Sequence, residues 1–205
     1  MKQMTNQETY AEKIYTRKGI TKENLFTHGE KALHIGPGKK ALPGAVTIDV
    51  LDLPGVDIVH DLDVLPWPFP DNSFDLIFAH SVFEHLSDQL AIMKEMKRIL
   101  KPKGRLLIAV PYFRCPDAFT DSTHKHFFTT RSLDYYIEGK ALAQYEYVDA
   151  RFHLRGFWYG WPQVSGNPLV RVFKRFIEKY PKFYDSHLSL LFPMKILIWE
   201  LEVIK

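Results

Sequence analysis

The most restrictive feature of the sequence is an apolar run that stops at a glycine turn. Ala32-Leu33-His34-Ile35 leads into Gly36-Pro37-Gly38, and an acid, Asp49, stands eleven residues past the second glycine. A run this short and this apolar suits a strand buried on both faces of a covered sheet. The glycines after it let the backbone turn sharply and approach a ligand closely. The same rhythm then repeats. Residues 45–50 form a second run that closes on an acid, 56–60 a third, and 74–79 a fourth, entered through the turn-forming Pro70-Asp71-Asn72-Ser73.

From Ser87 the period changes to a helical one. Leu90, Met93, Met96, Lys97 and Leu100 follow the three-to-four spacing, with Ser87 or Asp88 as the cap and Lys101-Pro102-Lys103-Gly104 as the stop. Residues 105–110 then read as a fifth strand. Strand, helix, strand in that order implies a right-handed parallel crossover. Residues 143–153 and 195–204 read as two further strands, so the expected fold is α/β: a Rossmann-like, open, seven-stranded, mostly parallel sheet with a late hairpin edge. Only nine residues separate Ile35 from Ala45, and six separate Val50 from Asp57. Parallel crossovers usually need about a dozen or more. The early helices are therefore expected to be reduced, leaving one face of the sheet thinly covered near the first strands.

Composition sets the outer limits. A chain of 205 residues, 46% apolar and 25% charged, suits a single domain with a real core. A net charge of +3 is too small for a general phosphate-binding surface, so nucleic acid is not an expected partner. The single cysteine, Cys115, cannot form an internal disulfide and reads as a packed thiol. Residues 1–12 are polar and lack an apolar signal core, and 188–199 is too short and too interrupted to span a bilayer, so a cytoplasmic protein is expected.

In an open parallel sheet, ligands sit outside the carboxyl ends of the strands, where the strand order reverses. Gly36-Pro37-Gly38 lies at such an end, Asp49 ends the second strand as an acceptor for two ribose hydroxyls, Asp61-Leu62 follows the third, and Ala79-His80-Ser81 the fourth. Four strand ends thus contribute to one crevice suited to an adenosine-type cofactor. A lone Gly-x-Gly is often a plain turn; the joint spacing carries the reading.

Further blocks make the pattern specific. Phe69-Pro70-Asp71-Asn72-Ser73-Phe74-Asp75-Leu76-Ile77, then Phe83-Glu84-His85-Leu86, then Leu100-Lys101-Pro102-Lys103-Gly104-Arg105-Leu106 resemble, in order, the class I S-adenosylmethionine-dependent methyltransferases of the type-11 methyltransferase-domain family. The resemblance spans roughly residues 30–115. It implies that S-adenosylmethionine is the cofactor and that the last strand is antiparallel. It also implies that Gly36, Pro37 and Gly38 lie near the methionine part, Asp49 on the ribose, Asp61 and Leu62 at the adenine, and His80 with Ser81 beside the methionine. The family often has an acid where this chain has His34, and a third glycine where it has Lys40. A nicotinamide cofactor fits less well, since Gly-x-Gly-x-x-Gly and the helix that would hold a pyrophosphate are both missing.

Acceptor chemistry is expected after the fifth strand, in the loop Asp121-Ser122-Thr123-His124-Lys125-His126-Phe127-Phe128-Thr129. His124, His126 and Asp121 are its catalytic candidates, with the acceptor beside Tyr112 and His124. This block resembles a segment of some family members from surface-glycan gene sets, which implies a small-molecule or glycan-type acceptor. His124-x-His126 with Asp121 could bind a metal, but the outer ligands are missing and the reaction needs none, so no metal is expected. Glu84 and His85 read as structural residues at a strand-to-helix junction, with catalysis as the alternative.

The outer parts of the chain are less specific. Residues 1–30 are expected to contribute one or two leading helices, within 7–26. Residues 155–193 read as an insertion before the last strand. In it, Leu169, Val172, Phe173, Phe176, Ile177 and Tyr180 share a helical face opposite Arg171, Lys174, Arg175 and Lys179. Such a helix over 168–180 can pack on the sheet as a lid, the favoured reading, or lie peripherally on a membrane. Phe157, Trp158, Tyr159 and Trp161 could wall an acceptor pocket or be core. A non-catalytic cofactor-binding or membrane-associated module is the competing class.

Overall fold

The computed structural model describes residues 29–145, 147–160 and 167–205. The leading helices expected within 7–26, and Trp161, lie outside these residues. Seven strands form one sheet: β1 (Ala32–Ile35), β2 (Val46–Asp49), β3 (Ile58–Val59), β4 (Phe74–His80), β5 (Leu100–Pro111), β6 (Arg151–Tyr159) and β7 (Ile196–Ile204). Their spatial order is β3-β2-β1-β4-β5-β7-β6. The first five pair in parallel, and β7 enters antiparallel between β5 and β6. The order reverses between β1 and β4, and the region outside the carboxyl ends of two such strands is where open parallel sheets bind ligands.

The crossovers from β1 to β2 and from β2 to β3 contain no helix, in line with their length. The first is instead held by a buried side chain of β1, His34. His34 is 2% exposed, and its Nδ1 accepts the Leu42 backbone N–H at 3.0 Å. Burial, with a smaller contribution from His80, pushes its pKa down to about 3, so it is a neutral acceptor. A buried imidazole thus ties down a loop that has no helical hydrogen bonds of its own.

Helix α1 (Gln89–Ile99) starts where Asp88 accepts the Ala91 N–H, which places the cap on Asp88. Its buried face is Ile92, Met93, Met96 and Ile99, whereas Leu90 is 41% exposed. Of the expected stripe, Met93, Met96 and Leu100 are buried, while Ile92 and Ile99 fill the places expected of Leu90 and Lys97. The main core joins this face to Leu33, Ile35, Phe74, Ile77, Leu106 and Ile108. On the other face a smaller cluster of Ala32, Leu42, Leu76, Phe78, Leu107, Ala109 and Ile198 is packed by Ala45, Trp158 and Ile196.

Two expectations in the last third need correction. The sixth strand is Arg151–Tyr159, not 143–153, since residues Ala141–Tyr145 form a 3-10 turn. Pairing with β7 runs from Arg151 to Tyr159, so Phe157, Trp158 and Tyr159 are strand residues and the insertion starts after them. Helix α2 (Pro168–Lys179) contacts β6 and sets Ile177 in the main core with half-buried Phe173 against it, while Leu169, Val172 and Phe176 are exposed. No described helix is long and apolar enough to cross a membrane.

Candidate active site

The glycine turn leaves β1 with Gly36 at φ +58° and Gly38 at φ +52°, a region costly for residues with a Cβ. A Cβ on Gly36 would lie 2.4 Å from Val82 Cγ2, so the turn is pressed against the segment that follows β4. A Cβ on Gly38 would meet nothing within 4 Å, so that side of the turn is open. Pro37 is buried, and its carbonyl accepts the Lys40 N–H.

Asp49, 7% exposed, is fixed at the end of β2. One carboxylate oxygen accepts the Gly38 N–H at 2.9 Å and the other the Leu51 N–H at 3.0 Å. The acid and the glycine turn are thus one unit, which explains the spacing between them. Each oxygen keeps a lone pair for a further donor. The end of β3 is tied alongside by His60 N–H to Asp49 O. Asp61 there is exposed and caps its own turn through Asp63 N–H, while Leu62 is buried beneath, its carbonyl accepting Trp67 Nε1–H.

At the end of β4, His80 stacks on Phe78, and burial followed by the Lys40 charge lowers its pKa to about 4. Ser81 holds φ +50°, a strained conformation for a residue with a side chain. It borders a cavity of about 630 Å³ that is also lined by Glu84, His85, Pro111, Asp117, Thr120, Asp121, Ser122 and His124. This cavity is the expected acceptor side, and its lining residues are of polar type apart from Pro111.

The loop after β5 is laid across this cavity by its backbone. The Glu84 carbonyl accepts the N–H groups of Lys125 and His126 at 2.9 and 3.2 Å. His124 thereby faces Glu84, with its Nε2 3.9 Å from Glu84 Oε1, and packs edge-on against His85 at 4.7 Å between ring centroids. Glu84 is 1% exposed and neither carboxylate oxygen has a hydrogen bond. Burial pushes its pKa up to about 7, with the Asp121 charge adding to the effect.

Of the three catalytic candidates, His124 and Asp121 share this cavity and His126 does not. His126 lines a neighbouring cavity with Tyr135 and Tyr136, and its Nε2 lies 3.3 Å from the Ser87 carbonyl. Residues two apart in a regular strand would share a face, so the separation of the two imidazoles reflects the irregular backbone of this loop. Tyr112 is fully buried and donates its hydroxyl to Asp185 at 2.6 Å, away from the cavity. None of Phe157, Trp158 and Tyr159 lines it either. Glu84 and His85, read from sequence as structural, are instead walls of the cavity. The missed signal was the backbone pairing that brings the loop onto them, which has no counterpart in local spacing.

Residues 33–108 match the methyltransferase-domain family "Methyltransf_11". Over 63 residues, 31% of this chain, the sequence is 35% identical to a demethylmenaquinone methyltransferase of Listeria welshimeri. Over 37 residues, 18% of this chain, it is 51% identical to an uncharacterised methyltransferase of Schizosaccharomyces pombe. The matched segments span only 26% and 13% of those relatives' own lengths. A solved S-adenosylmethionine-dependent methyltransferase of Mesorhizobium loti superposes with a TM-score of 0.54 at 14% identity, covering 84% of this chain and 90% of that one. Sheet order and structural likeness agree on a Rossmann-like sheet, and residues 33–108 within it are similar to a methyltransferase domain.

Proposed function

We propose that the protein transfers a methyl group from S-adenosylmethionine to a small-molecule or glycan-type acceptor held in the cavity at the ends of β4 and β5. The observation that carries this reading is continuity. The glycine turn presses on Val82, and Ser81 beside it opens onto the polar cavity.

The residues present fit the cofactor. Gly38 offers an open, Cβ-free approach, and Asp49 keeps lone pairs for a ribose diol. We assign Gly36, Pro37 and Gly38 to the methionine side, Asp49 to the ribose, Asp61 to the adenine edge, with Leu62 beneath it, and His80 and Ser81 to the floor between cofactor and acceptor. When bound, S-adenosylmethionine supplies an electrophilic methyl on a sulfonium. The chain's own work is alignment, which contributes roughly 7–11 kcal/mol in well-oriented systems. An acceptor hydroxyl must also lose a proton, and Glu84 and His124 are the groups facing it, with Asp121 at the rim. Titrating S-adenosylmethionine, its demethylated product and oxidised nicotinamide cofactor tests the cofactor. Product formation against a panel of hydroxylated small molecules and glycans tests the acceptor. A protein that binds the cofactor and methylates nothing in the panel supports the non-catalytic module instead.

A peripheral membrane contact through 168–180 is part of this reading. Leu169, Val172 and Phe176 are exposed beside exposed Arg171, Arg175 and Lys179. Phe173 also meets Phe192, so the exposed Leu190, Leu191 and Phe192 extend the same apolar surface. An apolar strip bordered by cations suits an anionic bilayer surface. Co-sedimentation with phosphatidylglycerol-containing vesicles, reduced in Leu169→Glu, is the expected result. Equal recovery with and without vesicles, or dimerisation through this strip, counts against it.

A further inference from the structure

The cavity holds three electron-pair donors that converge with no hydrogen-bond donor between them. His124 Nδ1 lies 2.9 Å from the Ala118 carbonyl, which can only accept, so Nδ1 carries the proton and Nε2 the lone pair. His85 Nδ1 lies 2.9 Å from Thr123 Oγ1, and that hydroxyl already donates to Asp121 Oδ1 at 2.6 Å. His85 is therefore also protonated at Nδ1, leaving Nε2 as its lone-pair nitrogen. The third donor is the buried Glu84 carboxylate, without a hydrogen bond at either oxygen. One ligating atom from each of Glu84, His85 and His124 lies within 4.8 Å of the others.

We propose that Glu84, His85 and His124 form a binding site for one divalent first-row transition cation, such as Zn²⁺, Mn²⁺ or Co²⁺. Two imidazoles and a carboxylate suit such ions better than Mg²⁺ or Ca²⁺, which prefer oxygen alone. Both histidines are oriented from behind, His124 by Ala118 O and His85 by Thr123, as imidazole ligands of metals usually are. Around an ion with bonds of about 2.1 Å, tetrahedral ligand atoms stand roughly 3.4 Å apart. The 3.9 Å between His124 Nε2 and Glu84 Oε1 needs to close by only a fraction of an ångström. The site differs from the one the sequence suggested: Asp121 stands behind His85 through Thr123, and His126 is on the other cavity.

Three protein ligands leave positions open toward the cavity. Oxygen atoms of an acceptor would complete the shell there, a role that rests on the methyl-transfer reading. An acceptor hydroxyl bound to the ion loses its proton more readily, so the site would select acceptors able to offer oxygen at that point.

The test is binding of Co²⁺ and Zn²⁺ to the metal-stripped full chain, followed by calorimetry and the visible absorption of Co²⁺. One ion per chain is expected, weakened at least about 100-fold in Glu84→Gln and His124→Ala and about 10-fold in Thr123→Val. His153→Ala, on the exposed surface of β6, is expected to bind normally. Should a ligand variant fail to fold, Co²⁺ broadening of ring proton resonances in the unaltered protein answers the same question. His85 and His124 are expected to broaden first. No saturable binding, a cluster satisfied by a proton alone, or unchanged affinity in both ligand variants overturns the proposal. S-adenosylmethionine binding measured in the same samples keeps the two readings apart: its loss refutes methyl transfer, whereas loss of metal binding alone refutes only the cation site.

Discussion

Replacing Glu84 by glutamine isolates the cost of burying that carboxylate. In the metal-free native chain, burial raises its pKa from an ordinary 4.5 to about 7. Between those values the native protein holds a proton that the unfolded chain has released, so stability falls as pH rises through this window. Above pH 7 both states are ionised and the full penalty is present. A displacement of that size corresponds to about 3 kcal/mol. Glutamine cannot ionise, and its amide can donate to His124 Nε2. The assay is urea unfolding of both proteins with a chelator present, at pH 5 and pH 8. The difference in unfolding free energy, variant minus unaltered protein, is expected to grow by about 2.5 kcal/mol from pH 5 to pH 8, since part of the penalty is already present at pH 5. Taking the difference cancels other titrating groups, including His34 and His80. A difference that stays within about 0.5 kcal/mol across the range refutes the claim that Glu84 is buried without a compensating partner. Saturating Zn²⁺ at pH 8 should reverse the order by stabilising the unaltered protein alone.

Three other substitutions probe the first crossover and the glycine turn. His34→Phe keeps the ring but removes the acceptor for Leu42 N–H, and is expected to cost about 1–3 kcal/mol in chemical denaturation at pH 8. The same variant should lose part of the acid sensitivity below pH 6.5, because a neutral buried His34 must otherwise compete with proton uptake by the unfolded chain. Gly36→Ala places a Cβ 2.4 Å from Val82 Cγ2 at a positive φ, so it should weaken S-adenosylmethionine binding at least tenfold in calorimetry, whereas Gly38→Ala, facing open space at a similar φ, should disturb the fold less.

Much of the fold was legible because β1, β2 and β4 are short apolar runs bounded by turn residues, and these signals are local. The missing crossover helices were legible from chain length alone. The sixth strand was not: its pairing with β7 is a long-range choice, and aromatic residues such as Phe157 and Tyr159 suit a strand and a pocket wall equally well. The pairing of the glycine turn with its acid was legible because the Asp49–Gly38 hydrogen bond fixes a spacing along the chain. The acceptor side was only half legible. His124 and Glu84 are forty positions apart and meet because backbone N–H groups of the loop bind the Glu84 carbonyl, which side-chain chemistry does not announce. The amphipathic pattern of α2 was plain, but which face meets protein depends on what packs there, and among its residues only Ile177 is fully buried.

The central claim is that the crevice beside Gly36, Gly38 and Asp49 takes S-adenosylmethionine. Calorimetric titration of the full chain tests it most directly. One saturable site is expected for S-adenosylmethionine and for its demethylated product, weakened at least tenfold in Asp49→Ala, with no heat from oxidised nicotinamide cofactor. Saturable binding of the nicotinamide compound, or no binding of either sulfur compound by a folded protein, would contradict it.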